Sequence, residues 1–198
     1  MIPRHLKITF AIFVVATVVT AIYVWRVQRR AAKVSVANAA LQPVSPPITG
    51  SAEHVVFYVA DDAQGVLSRQ DANVALPSEP AARVRELVRA LLARYSASGS
   101  SHTLPPGAEV DEAYLVKNNL AILDMNSAFA DGHRSGILVE ELTVLSLVET
   151  VAANNPQITA VKILVDGKER DTLAGHADLA DSYDLATVNS AAARLQNQ

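Results

Sequence analysis

The chain has 198 residues, enough for one ordinary domain with additional segments, and its 17 basic and 20 acidic residues give a formal net charge of −3. It contains no cysteine, which excludes a disulfide, a thiol nucleophile, a cysteine-ligated metal and a cysteine-linked lipid anchor. Residues 1–33 hold six of the basic residues and no acidic one, so residues 34–198 have a net charge of −9. So acidic a region lacks the phosphate-neutralising surface that nucleic-acid binding requires.

The first element in chain order is an apolar segment, preceded by a short flank, residues 1–7. Residues 8–25 contain 18 consecutive residues without a charge, and as a helix they extend about 27 Å, close to the thickness of a bilayer core. This segment predicts one transmembrane helix that anchors the chain in a lipid bilayer. We expect Ile8 and Phe13 to contact lipid, and the aromatic residues Tyr23 and Trp25 to lie at the membrane interface.

A cleaved signal peptide and a buried core helix are the alternatives for this segment. Ala37-Asn38-Ala39 resembles a cleavage site, but it follows four cationic residues and lies far from the apolar run. A segment that is apolar on every face is more typical of a membrane span than of the core of so small a domain. Basic residues flank both ends, and their small excess after the segment favours, taken alone, a cytoplasmic domain.

A basic flank and a linker rich in proline and alanine follow in residues 26–52, where the composition is typical of an extended tether. We place the folded domain at residues 53–180 and a tail at residues 181–198. His54–Ala60 is an apolar run that predicts a buried strand, and residues 66–75 predict an edge-like second strand.

The next element is a helix that begins near Ser78 or Glu79 and has one continuous apolar stripe, formed by Val84, Leu87, Val88, Leu91, Leu92 and Tyr95. Arg83, Arg85 and Arg89 lie mostly off this stripe. They form either an ordinary solvated face or a surface for an anionic partner.

Phe57 and Tyr58 are adjacent in the first predicted strand, so they point to opposite faces, one into the core and the other towards a partner. With Arg83, Arg85 and Arg89, these two aromatic residues complete the candidate interaction surface.

The remaining elements alternate between strands and a helix. Residues 110–116 and 120–125 predict a hairpin, residues 136–154 a wide apolar helix, residues 158–165 a strand, and residues 169–173 a last short strand. The order β-β-α-β-β-α-β-β predicts an α+β fold, preceded by the transmembrane helix. The economical architecture is a small mixed or antiparallel sheet with two helices on one face.

No phosphate-binding, dinucleotide-binding, hydrolase or zinc-protease motif occurs in the sequence, and we assign no catalytic, cofactor or metal residue. His102, His133 and His176 lie in predicted loops and could converge on a metal, but their spacing does not demand it. The ordinary interpretation is three loop histidines.

Two groups of acidic residues likewise predict no metal or catalytic site. Asp178, Asp181 and Asp184 recur every three residues, but without the glycine that calcium loops usually contain. Glu141 and Glu149 are two helical turns apart, about 12 Å, which is too far for the carboxylate pair of a glycosidase.

Several segments together resemble one family. They are the HVVFYVA strand, the Leu104-Pro105-Pro106-Gly107 turn, the LDMNSAF segment at 123–129, the helix at 140–150, Val165-Asp166-Gly167 and Gly175-His176. In order and spacing they resemble the GerMN domain over roughly residues 53–180. The resemblance implies an α/β domain similar to ring-building motifs of secretion and sporulation assemblies, an envelope-facing location and a non-catalytic role in protein contact or cell-wall-associated assembly. This chain has one such domain, whereas the founding member has a tandem pair, and it lacks the lipobox cysteine.

We therefore expect a membrane-anchored, envelope-facing scaffold that contacts unknown envelope proteins or a second copy of itself. The extracytoplasmic location follows from the resemblance, against the small bias of the flanking charges. One alternative function is a peptidoglycan-binding module or an accessory of a cell-wall hydrolase. The other is an acidic adaptor that faces the cytoplasm.

Overall fold

The computed structural model describes residues 52–117 and 119–188. The predicted membrane segment at 8–25 and almost all of the linker lie outside these residues. Within the described ranges, no helix has both the length and the apolar character needed to cross a membrane.

Nine elements follow one another along the described residues. The strands are β1 (Ala52–Asp61), β2 (Val66–Ala75), β3 (Val110–Val116), β4 (Leu120–Met125), β5 (Ala160–Val165) and β6 (Tyr183–Asp184). The helices are α1 (Pro80–Tyr95), α2 (Ser127–Asp131) and α3 (Ile137–Asn154). The mixed α+β class, the positions of both long helices and the β3–β4 hairpin are as the sequence predicts.

The strands form two sheets, so the prediction of one sheet is wrong. Strands β1 and β2 pair only with each other, antiparallel, with Phe57 opposite Gln70. The second sheet has the order β3-β4-β5-β6, in which only β4 and β5 are parallel. A parallel pair requires a crossover, and α2 and α3 provide it between β4 and β5.

The predicted strand at residues 169–173 is also wrong, because this segment is an irregular loop with isolated bridges. The last strand is instead β6, which lies beside β5 with Tyr183 opposite Val161. A helical turn at residues 185–188 follows, and Val188 is buried. The ordered domain therefore continues beyond residue 180.

The hydrophobic core lies on one face of the four-stranded sheet. Ala121, Leu123 and Ile163 on that face are fully buried, whereas Tyr114 and Val116 on the opposite face are exposed. Helix α3 is the central element, since every residue from Leu142 to Val151 is buried. Burial on all sides explains why its apolar surface is so wide in the sequence.

Candidate functional site

Each of the three arginines of the predicted interaction surface is paired with an acidic residue. Arg83 makes two hydrogen bonds to Glu53, Arg85 Nη1 lies 2.9 Å from Glu112 Oε1, and Arg89 Nη1 lies 3.1 Å from Glu86 Oε2. Each pair neutralises a charge that would otherwise attract an anion. The arrangement therefore supports a solvated helix face more than a site for an anionic partner.

The two aromatic residues of that surface, Phe57 and Tyr58, point to opposite faces of β1, as the alternation of a strand requires. Phe57 is completely buried beneath the guanidinium of Arg94, whose Cζ lies 4.2 Å from the ring centroid, so no partner can reach Phe57. The structure thus removes Phe57 from the candidate surface. Tyr58 is half-buried, and its backbone is held by helix α3.

The free edge of β1 is closed by side chains of α3, an arrangement that we call the edge seal. Thr150 Oγ1 accepts from Tyr58 N (3.0 Å), and Ser146 Oγ donates to Tyr58 O (2.6 Å). One helical turn further, Asn154 accepts from Val56 N (2.9 Å) and donates to Val56 O (2.6 Å).

The edge seal works because two repeats match. Four helical residues rise about 6 Å, and two strand residues advance about 6.7 Å, so the step from Thr150 to Asn154 matches the step from Tyr58 to Val56. Tyr95 extends the seal, since its hydroxyl accepts from Ala60 N (2.9 Å). These contacts occupy outward backbone groups of Val56, Tyr58 and Ala60, so another strand cannot add along this part of the edge without displacing them.

Asp62, His102 and Thr143 have the order of a carboxylate–imidazole–hydroxyl triad. His102 Nδ1 lies 2.6 Å from Asp62 Oδ1, and His102 Nε2 lies 2.9 Å from Thr143 Oγ1. However, Thr143 is 1% exposed, and its hydroxyl also lies 2.9 Å from Val139 O, to which it donates. A nucleophile must be reachable by its substrate, so this triad has the character of an internal brace.

The predicted loop histidines divide between two places. His133 joins His102 on Thr143, with His133 Nε2 2.8 Å from the hydroxyl, and burial lowers the pKa of His133. His176 lies elsewhere, with its Nδ1 2.8 Å from Glu140 Oε1. In the described part of the chain, no group of three histidine or acidic residues is arranged to hold a metal ion.

Glu140 holds the loop that follows β5. Its carboxylate is completely buried and accepts from the amides of Ala174 (2.9 Å), His176 (2.9 Å) and Ala177 (3.0 Å). It also accepts from Gly136 N (3.0 Å) at the start of its own helix. Burial alone would raise the pKa of this carboxyl, but the donors together hold it far below its usual range.

The LDMNSAF and Asp166-Gly167 segments form a second set of contacts, which we call the strand-end brace. Asp124 Oδ1 accepts from Gly167 N (2.7 Å), and Asp166 Oδ1 accepts from Ser127 N (2.9 Å). Asn126 donates to Gly107 O (2.7 Å) and accepts from Glu109 N (3.1 Å). The segments that carry the family resemblance are therefore structural, because their polar side chains bind backbone groups of one another.

The two acidic residues of the excluded glycosidase pair lie in different surroundings. Glu149 is 8% exposed, its Oε1 has no hydrogen-bond partner among the described residues, and burial raises the pKa of its carboxyl. Glu141 is exposed on the wall of a surface groove. They do not face a common substrate position.

Strand β3 carries the main exposed apolar surface of the four-stranded sheet. Tyr114, Leu115 and Val116 are consecutive and are 49%, 41% and 45% exposed, so β3 is open on both faces at this end. It is also an edge strand. An edge strand with exposed apolar side chains is suited to pairing with another chain.

The described residues form an α+β domain with an open edge strand, and comparisons place it in a family. The family model described as "Germane: Sporulation and spore germination" matches residues 55–171, and the chain belongs to this family. Its folded part is a GerMN-type domain.

Solved structures are similar in fold. The tandem GerMN domains of the sporulation protein GerM from Bacillus subtilis share 18% identity at a TM-score of 0.53, covering 68% of this chain and 46% of that chain. The first GerMN domain alone shares 16% identity at a TM-score of 0.49, covering 67% and 97%. A Clostridium perfringens protein described as a lipoprotein shares 20% identity at a TM-score of 0.49, covering 71% and 92%. No curated protein sequence matches the chain.

Proposed function

We propose that the protein is a membrane-anchored, envelope-facing binding module that acts without catalysis by bringing proteins together. The uncharged segment at residues 8–25 supports the anchor, and membership of the family supports the envelope-facing location. The observation that carries the proposal is the contrast between two sets of side chains. The buried histidines and Glu140 are engaged in hydrogen bonds within the domain, whereas three consecutive apolar side chains of β3 remain exposed.

The proposed contact is strand addition at β3. A partner strand there would satisfy the outward backbone groups of β3 and cover Leu115 and its neighbours. The sealed edge of β1 leaves β3 and the polar strand β2 as the long strands with one unpaired edge in the described domain. Since every exposed residue of β2 is polar, β3 has more apolar area to gain from a partner.

Photo-crosslinking in intact cells tests this contact. A photoreactive amino acid at position 115 is expected to give one discrete adduct, either with an envelope protein or with a second copy of the chain, identified by mass spectrometry. The matched position is Arg69, which is exposed on β2. Equal adducts from both positions, or none from position 115, would argue against the proposed contact.

The location has its own test, which the absence of cysteine makes simple. A single cysteine replacing the exposed Ser98 should react with a membrane-impermeant maleimide added to intact cells. Labelling only after the membrane is opened would place the domain in the cytoplasm and support the acidic-adaptor alternative.

A further inference from the structure

A groove runs between α3 and the end of the described chain. It has a volume of about 310 Å³, and its apolar lining comprises Ile137, Val144, Leu145, Ala177, Tyr183 and Val188. The first turn of α3 forms one wall, and β6 with the turn at 185–188 forms the other. Neither wall belongs to strand β3, so this groove is a second surface.

The mouth of the groove is unusually apolar for a surface position. Ile137 is 69% exposed, although it begins a helix that is buried from Leu142 to Val151. Large exposed apolar side chains next to a concave apolar surface are typical of binding sites. A ligand that contributes an apolar side chain would therefore gain contact with Ile137 and with the groove floor.

The charge of the groove defines the other property of its ligand. Glu141 and Asp178 lie in the walls, and the described lining residues include no lysine or arginine. Burial, followed by the negative charges of Asp178 and Glu141, raises the pKa of Tyr183 to about 12. The Nδ1 atom of His176 is already hydrogen-bonded to Glu140, so it is not available to a ligand. The groove is thus apolar inside and negative at its walls.

We propose that this groove binds a segment of a partner protein in which an apolar side chain stands next to a lysine or arginine. The apolar side chain enters the space between Ile137, Leu145 and Val188, and the cation pairs with Glu141 and Asp178. The inference rests on the proposed protein-binding function and names the chemistry of one partner. It does not depend on strand addition at β3.

A short peptide provides the probe for this site. The full chain is mixed with the fluorescent peptide acetyl-Gly-Arg-Leu-Lys-Gly-amide, and binding is followed by fluorescence anisotropy. We expect weak, salt-sensitive binding, with a dissociation constant on the order of 0.1–1 mM. Peptides with glutamate in place of both cations, or with serine in place of leucine, should bind at least about tenfold more weakly.

Variants of exposed groove residues locate the site without disturbing the fold. Ile137→Ser should weaken binding about fivefold, and the double variant Glu141→Gln with Asp178→Asn about tenfold. The controls are Leu138→Ser, next to Ile137 but outside the groove lining, and Glu109→Gln on an exposed loop, and both should leave binding unchanged.

Three results would overturn the inference. The first is peptide binding that the groove variants and the controls affect equally, and the second is no binding up to several millimolar. The third is self-association that Ile137→Ser abolishes, because the groove would then accommodate a second copy of the chain. Crosslinking from position 115 is independent of these variants, so a failure at the groove remains distinguishable from a failure of the proposed function.

Discussion

Glu140 shows how much of this domain depends on one carboxylate. It is buried in the first turn of α3, yet it binds three amides of a loop more than 30 residues away in sequence, as well as His176. From the sequence alone, Glu140 is explained by the helix dipole, which favours negative charge in the first turn. It gives no signal for the loop amides, because irregular backbone has no periodicity.

Glu140→Gln should lower the free energy of unfolding by about 2–4 kcal/mol, because an amide cannot accept as many hydrogen bonds as a carboxylate. Urea denaturation measures the change. Glu141→Gln, one residue along and exposed, is the control and should change stability by less than about 0.5 kcal/mol. Equal effects of the two variants would show that the loop contacts contribute little.

The same carboxylate predicts a pH dependence. Because the folded-state pKa of Glu140 lies below its ordinary value of 4.5, its contribution is fully present above that pH. It is lost progressively as the pH falls below about 4.5, since the unfolded chain then binds the extra proton. The Glu140→Gln variant should lack this part of the acid destabilisation, which denaturation at several pH values would measure.

At the scale of elements, the edge seal explains why the structure has two sheets where the sequence predicts one. The sequence predicts β1, β3, β4 and α3 correctly from apolar periodicity, and no periodicity states which strand is the neighbour of which. A signal was nevertheless present: Ser146, Thr150 and Asn154 repeat every four residues in a helix whose other residues are mostly apolar. A polar stripe on a buried helix requires polar partners, and an unpaired strand edge is a rich source of them.

Thr150→Val tests the edge seal with little change of shape. The variant leaves Tyr58 N without its partner, which should cost about 1–3 kcal/mol of unfolding free energy. Thr103→Val, at an exposed loop position, removes the same group and should cost less than about 0.5 kcal/mol. If the two variants were equally stable in urea, water would have to replace the hydroxyl at β1.

At the scale of the whole molecule, the strand-end brace joins segments that are distant in the chain. Asp166 reaches Ser127, Asp124 reaches Gly167, and Asn126 reaches Gly107. The family resemblance located all of these residues from sequence, whereas their mutual contacts required the fold. The groove beside α3 was less predictable from sequence. Residues 183–188 form one of its walls, and the sequence places them in a tail.

Substitutions at Asp166 separate the two tasks of this residue. Its φ of 50° lies in the left-handed region, and its side chain binds Ser127 N. Asp166→Asn keeps both properties and should be nearly neutral, whereas Asp166→Gly keeps only the backbone freedom and should cost about 1 kcal/mol. Asp166→Ala loses both and should cost about 1 kcal/mol more. Thermal denaturation of the three variants gives the order, and a glycine variant less stable than alanine would contradict it.

Helix α3 completes β1 with its side chains in the way that a neighbouring strand would complete it with its backbone. A relative with leucine at the positions of Ser146, Thr150 and Asn154 would leave those amides and carbonyls of the hairpin unsatisfied. Such a relative would have to recruit another strand to β1, and its two sheets would merge into one. Three side chains thus separate two architectures that share nearly every other element.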